Sequence, residues 1–114
     1  MKLSVQGESA VCRWLSQQGF RILERNFRCR LGEIDIIAEE GDTLCFIEVK
    51  TRTNLNYGRP VEAITRTKQH HILRTISFYC ISHPLRMPEL RIDVAEVLFV
   101  EGRFYLHYIR NAFS

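Results

Sequence analysis

Lysine is nearly absent from this 114-residue chain: it stands only at 2, 50 and 68. The basic side of a net charge of +3 therefore rests almost wholly on arginine, which suits bidentate phosphate contacts better than lysine does. A surplus of that size only leans towards polyanionic partners. Long apolar runs are missing too. No stretch approaches the roughly 20 residues of a membrane helix, and the opening MKLSVQGESAV has no apolar core of a signal peptide. The cysteines at 12, 29, 45 and 80 have no CxxC spacing and lie mostly in apolar segments. Free buried thiols in a reducing compartment are expected rather than a disulfide framework, so a cytoplasmic location with no membrane contact is expected. Repeats, low-complexity tracts and linkers are absent as well. One domain with a single core fits this length.

What is present centres on Gly32 to Arg52, GEIDIIAEEGDTLCFIEVKTR. It reads as two strands joined by a turn at Glu39–Asp42, short enough for an antiparallel hairpin. In the second strand Leu44, Cys45, Phe46, Ile47 and Val49 form an almost unbroken apolar run, as in a strand buried on both faces. Glu48 and Lys50 interrupt it and, by alternation, share a face. In the first strand Ile34, Ile36 and Ala38 are expected on one face and Glu33 and Asp35 on the other. Pairing the strands can bring Asp35 beside Glu48 and Lys50. Charges at the mouth of an apolar sheet must be paired, protonated or holding a cation. Hard oxygen ligands suit Mg²⁺ or Mn²⁺, and a nearby Lys suits negative charge developing on phosphate. A plain Glu–Lys pair on a strand end is the alternative.

The rest of the chain supplies elements around that hairpin. Residues 4–18 read as a helix with Ser4 as cap, Gly19 past its end, and Val11, Cys12, Trp14 and Leu15 on the apolar face. Glu8 falls on the same row. It is either a first-turn acid complementing the helix dipole or a third carboxylate leaning towards the site. Phe20–Phe27 reads as a strand with Phe20, Ile22 and Glu24 on one face and Leu23 on the other. Arg28 and Arg30 follow in a turn. Residues 51–60, TRTNLNYGRP, read as a loop carrying Arg52, Tyr57 and Arg59, suited to nucleic-acid backbone and bases or merely solvated.

A second helix is expected from Val61 to Cys80, with Ile64, Ile72, Leu73, Ile76 and Tyr79 on its apolar stripe and the Lys68 stem along it. Gln69 could bond a phosphate or ligand. His70 and His71 read as surface residues without metal spacing. Strands at Arg91–Val100 and Arg103–Arg110 close the order, with Arg91 and Asp93 as a structural ion pair. Helix, three strands, helix, two strands implies an α/β fold with a mixed sheet of four to five strands flanked by helices.

The segments GESAVCRWL, ERNFRCRLGEIDIIA, LCFIEVKTR, YGRPVEAITRTKQ, RIDV and NAF together resemble the YraN-like family of small bacterial proteins, over nearly the whole chain. That family is similar to the restriction-endonuclease-like superfamily with its PD-(D/E)xK signature, and within it to the archaeal Holliday-junction resolvases. The resemblance implies an α/β core with a central four-stranded mixed sheet. It makes Asp35 the metal-binding acid, Glu48 the second acidic ligand, Lys50 the signature lysine and Glu8 the helix-borne acid of the resolvase-like branch. Gln69, with Lys68 beside it, matches a polar position on the helix after the signature. Ile34 stands where the signature's name has proline.

The expected function is metal-dependent hydrolysis of DNA phosphodiesters, at branched or otherwise structured DNA, with RNA left open as a partner. Asp35, Glu48, Glu8 and the Val49 carbonyl would hold Mg²⁺ or Mn²⁺. Lys50 and Gln69 would serve the chemistry, and Arg30, Arg52, Arg59 and Lys68 the nucleic-acid backbone. Two alternatives stand beside it: a nucleic-acid-binding module that keeps the fold without cutting, and an adaptor in which Asp35, Glu48 and Lys50 form an internal ion-pair network. No heptad or distinct apolar stripe decides between monomer and homodimer.

Overall fold

The structure, a computed structural model, describes residues 2–53, 65–83 and 89–113. The elements are α1 (Leu3–Gln17), β1 (Arg21–Cys29), β2 (Gly32–Glu40), β3 (Thr43–Arg52), α2 (Arg66–Ser82), β4 (Glu89–Val100) and β5 (Arg103–Ile109). They make the expected α/β fold: five strands in the spatial order β1-β2-β3-β4-β5 with two helices. Neighbouring strands are antiparallel except β3 and β4. Those two run parallel from Thr43 opposite Glu89 to Arg52 opposite Leu98. Parallel neighbours need a long crossover, and α2 lies on it.

The helices cover opposite faces. Val11 and Leu15 of α1 pack with Ile36, Ala38, Cys45, Ile47, Ala95 and Val97. Ile72, Ile76 and Tyr79 of α2 pack with Ile34, Ile37, Leu44, Phe46 and Val94. The unbroken apolar run of β3 is thereby explained, since its side chains alternate between two buried faces. Each fully buried Ile or Leu contributes about 1.5–3 kcal/mol. Among the described residues no helix is long and apolar enough to cross a membrane. The four cysteines are free, and only Cys45 is fully buried.

Several local expectations need correction. Ser4 does not cap α1: Lys2 is the N-cap and no side chain bonds there. Gly19 does take the left-handed conformation just beyond the helix, at φ +94°. The first strand begins and ends later than the apolar pattern implied, and a bulge between Ile22 and Glu24 breaks its alternation. Glu24 therefore pairs with Ile37 on the α2 side rather than sharing the face of Ile22. Ile34 and Ile36 also part company, Ile34 joining the α2-side core and Ile36 the α1-side core.

At the start of α2, Thr65 is the N-cap, its hydroxyl accepting from the Lys68 N–H at 3.2 Å. Residues 61–64, Ile64 included, lie outside the described residues, as do Pro84 and Pro88. Leu73 is 52% exposed and leaves the apolar stripe. Arg91 and Asp93 do form the structural pair, Nε to Oδ1 at 2.9 Å. The fully buried Asp93 also accepts from the Tyr108 hydroxyl at 2.5 Å and the Asn111 N–H at 2.9 Å.

Candidate active site

The β2–β3 ladder runs from Glu40 opposite Thr43 to Ile36 opposite Ile47. Asp35 is the next residue, and its side chain takes the place of a strand partner. The Val49 N–H donates to Asp35 Oδ2 at 2.8 Å. Opposite, on β1, Asn26 sits at φ +53°, the left-handed conformation that Asn tolerates better than most residues. The regular pleat is lost between these residues, which is why Ile34 and Ile36 face opposite ways. Asp35 is thus held between the strands, lining a cleft with Glu8 on one side and in electrostatic reach of Glu48 and Lys50 on the other.

Beyond it lie two unequal groups. On the α1 side a cleft of about 380 Å³ is lined by Glu8, Asn26, Arg28, Asp35, Val49 and Thr51 among others. Glu8 is buried, and the Arg25 guanidinium stands 3.6 Å from its Oε1, too far for a hydrogen bond. Burial, then the Asp35 carboxylate, raise the Glu8 pKa against Arg25. On the α2 side, regular β3 alternation places Glu48 and Lys50 on the face of Leu44 and Phe46. Glu48 is 5% exposed and its Oε1 has no hydrogen-bond partner among the described residues. Burial first, then Asp35, push Glu48 up to about 8. Burial also raises Asp35, offset in part by the Val49 N–H and Lys50. Lys50 is lowered by burial and then by Lys68, which meets it from the first turn of α2.

The sequence-predicted residues therefore gather around Asp35 without forming one three-acid pocket. Among the described residues no three His, Cys, Asp or Glu side chains come close enough to hold a metal together. Instead Asp35 interacts with Glu8 on one side and Glu48 on the other. Mg²⁺ commonly rests on one or two carboxylates, with waters and substrate phosphate completing its shell. An oxygen-only donor set with two orphaned carboxylate oxygens, at Glu8 and Glu48, fits that demand. Burial, and the Asp35 carboxylate after it, raise both acids against the cations that face them, Arg25 at Glu8 and Lys68 and Lys50 at Glu48.

Lys68 is exposed, and Gln69 lines a separate cleft between α2 and β4 with Leu90 and Ile92. Arg30 is exposed at the β1–β2 turn, and Arg52 shares the Lys50 face. Arg59 and Tyr57 lie outside the described residues. Alternation alone did not point to Arg25 or Asn26; the Asn preference for left-handed backbone was the available signal at 26.

Gly7 fixes how close α1 comes. A Cβ there would lie 2.2 Å from Thr51 Oγ1, 3.2 Å from Cγ2 and 3.3 Å from Cβ, so no rotation of Thr51 clears it. In Gly7→Ala the helix must lift from β3. Overpacking of about 1–3 kcal/mol set against a helix-propensity gain of about 1 kcal/mol leaves an expected net loss of up to about 2 kcal/mol. Denaturant unfolding measures it, and a variant at least as stable as the parent would contradict the packing described.

The family model described as uncharacterised protein family UPF0102 matches residues 7–97. A UPF0102 protein of Chlorobium phaeobacteroides is 45% identical over 117 residues, covering 97% of this chain and 93% of the relative. One from Caldicellulosiruptor saccharolyticus is 44% identical over 114 residues, covering 98% and 97%. A third, from Lachnoclostridium phytofermentans, is 46% identical over 120 residues, covering 100% and 97%. With likeness along the full length of both partners, this chain belongs to the UPF0102, or YraN-like, family.

Proposed function

We propose that the protein is a divalent-metal-dependent phosphodiesterase acting on DNA, with a restriction-endonuclease-like core. The observation that carries the reading is Asp35 set in the opening of the β2–β3 ladder, between Glu8 and Glu48, with Lys50 on the Glu48 face. The resemblance of Asp35, Glu48 and Lys50 to the PD-(D/E)xK signature supports it. Branched or otherwise structured DNA is the substrate class to which that resemblance points.

Asp35 and Glu48 would hold Mg²⁺ or Mn²⁺ on the Lys50 side, and Glu8 and the Val49 carbonyl would add oxygens to Asp35 on the α1 side. Bound there, the ion supplies Lewis-acid polarisation of the phosphoryl oxygen and a water of lowered pKa. The chain's own groups do the rest. Burial and Lys68 both work against the Lys50 proton, so its Nζ is fit to take a proton from the attacking water or to donate to the phosphoryl oxygen. Lys68, exposed beside it, draws in the phosphate. The Val49 N–H keeps the Asp35 carboxylate oriented.

Calorimetric titration with Mn²⁺ tests the reading. The parent is expected to bind, and Asp35→Ala to lose at least tenfold in affinity. Equal heats from both proteins would remove the metal site. A second reading, a nucleic-acid-binding module that does not cut, draws on the lack of a three-ligand cluster among the described residues. It gives salt-dependent DNA binding and no metal-dependent product.

A further inference from the structure

Past Lys50, the α2-side face of the sheet continues beyond the residues that α2 packs. The register sets Lys50 opposite Glu96 and Glu96 opposite His107, then Arg52 opposite Leu98 and Leu98 opposite Tyr105. Residues paired across a ladder share a face, so Glu96 and His107 extend the row begun by Lys50. A cleft of about 190 Å³ opens here, lined by Arg52, Glu96, Leu98, Tyr105 and His107 among others.

Two buried atoms in its walls have no hydrogen-bond partner among the described residues: Arg52 Nε, a donor, and Glu96 Oε1, an acceptor. Buried polar groups are costly to leave so. His107 Nδ1 stands 3.3 Å from the other Glu96 oxygen and anchors that carboxylate. Tyr105 is 55% exposed. A ligand with a donor beside an acceptor on one flat edge would satisfy both orphans. The ring of Tyr105 would meet its face. The cleft is smaller than the roughly 300–1,000 Å³ of sites for drug-sized ligands, which suits a single ring system.

We infer that this cleft seats an unpaired nucleobase of the strand bound at Asp35, Glu48 and Lys50, with Glu96 and Arg52 bonding its edge and Tyr105 stacking on it. Nucleobases carry adjacent donors and acceptors on their Watson–Crick edges and stack on aromatic side chains. The inference rests on the nucleic-acid reading above and narrows it. A base must leave the duplex stack to enter, so the substrate class becomes DNA with an unpaired nucleotide near the cut rather than continuous duplex.

The test uses Asp35→Asn protein, expected to bind without cutting, and two synthetic DNAs: a paired duplex and the same duplex with a one-nucleotide bulge of 2-aminopurine. Binding is expected to change the 2-aminopurine fluorescence and to be about tenfold tighter for the bulged DNA. Tyr105→Ala should erase that preference and Tyr105→Phe restore it. Glu96→Ala should weaken bulge binding alone. Thermal unfolding confirms that each variant is folded, and an exposed Tyr105 makes that expected. Equal affinity for both DNAs, or a preference that survives both Tyr105→Ala and Glu96→Ala, would overturn the cleft while leaving the cutting site standing. Binding to neither DNA, with no metal-dependent cleavage by the parent, would overturn both.

Discussion

Lys50→Ala and Glu48→Ala proteins are each expected to cleave DNA about a hundred to a thousand times more slowly than the parent in Mg²⁺. Removing one group that stabilises charge developing in a transition state ordinarily costs that much. The two variants fail for different reasons. Glu48→Ala takes away a carboxylate from the neighbourhood of Asp35, so added Mn²⁺ should recover part of the rate. Lys50→Ala leaves the carboxylates in place and removes the proton-handling amine, so extra metal should not help. Neither change reaches into the packed clusters on the two sheet faces, and both proteins should unfold cooperatively. Rates equal to the parent's across branched, nicked and single-stranded DNA would reject the assignment.

Metal-free Glu48→Gln is expected to unfold about 10 °C above the parent at pH 8.5 and at nearly the parent's temperature at pH 5. Burial, then Asp35, put the Glu48 pKa at about 8 in the folded chain against an ordinary 4.5. The folded state therefore holds its proton more tightly than the unfolded state. Stability is fully present below about pH 4.5 and is lost as pH rises through about 8. At about 1.4 kcal/mol per pH unit the loss amounts to a few kcal/mol, or about 10 °C for a domain of this size. Glu8 and Asp35 are raised too and act in the same direction. Glu40 runs the other way, lowered to about 2 chiefly by its bond to Arg110, but its contribution changes only below about pH 5. Glutamine cannot ionise, so the variant should show a flatter profile. A parent whose unfolding temperature stays level or rises between pH 5 and 8.5 without metal would contradict this electrostatic picture.

Much of the frame was legible because it follows from periodicity. The run Leu44–Ile47 between turn residues read as a strand buried on both faces, and alternation put Glu48 and Lys50 together. Glu8 on the row of Val11 and Leu15 was likewise visible, and it is buried. What alternation could not reveal is where the pleat breaks. The Ile22–Glu24 bulge and the left-handed Asn26 reverse the facing of residues on either side, so Ile34 and Glu24 lie opposite to where alternation puts them. Among the described residues three acids do not come together as one cluster; Asp35 accepts from the Val49 N–H between the strands, with Glu8 and Glu48 to either side. Leu73 is apolar yet exposed, a placement that helical spacing alone cannot foresee. The Arg52, Glu96 and Tyr105 cleft depends on registers across three strands, none of which a local pattern specifies.

The parallel pairing of β3 with β4 carries a consequence for how the molecule assembles. The four principal residues of the candidate site, Glu8, Asp35, Glu48 and Lys50, precede residue 53, and the β1–β2–β3 meander can form from contacts close in sequence. Until the C-terminal hairpin docks, however, β3 is an open edge of Leu, Cys, Phe and Ile, the kind of surface that recruits foreign strands. A nascent chain would thus assemble its candidate site early and cover its open edge late, with the crossing over α2 as the slow step between them.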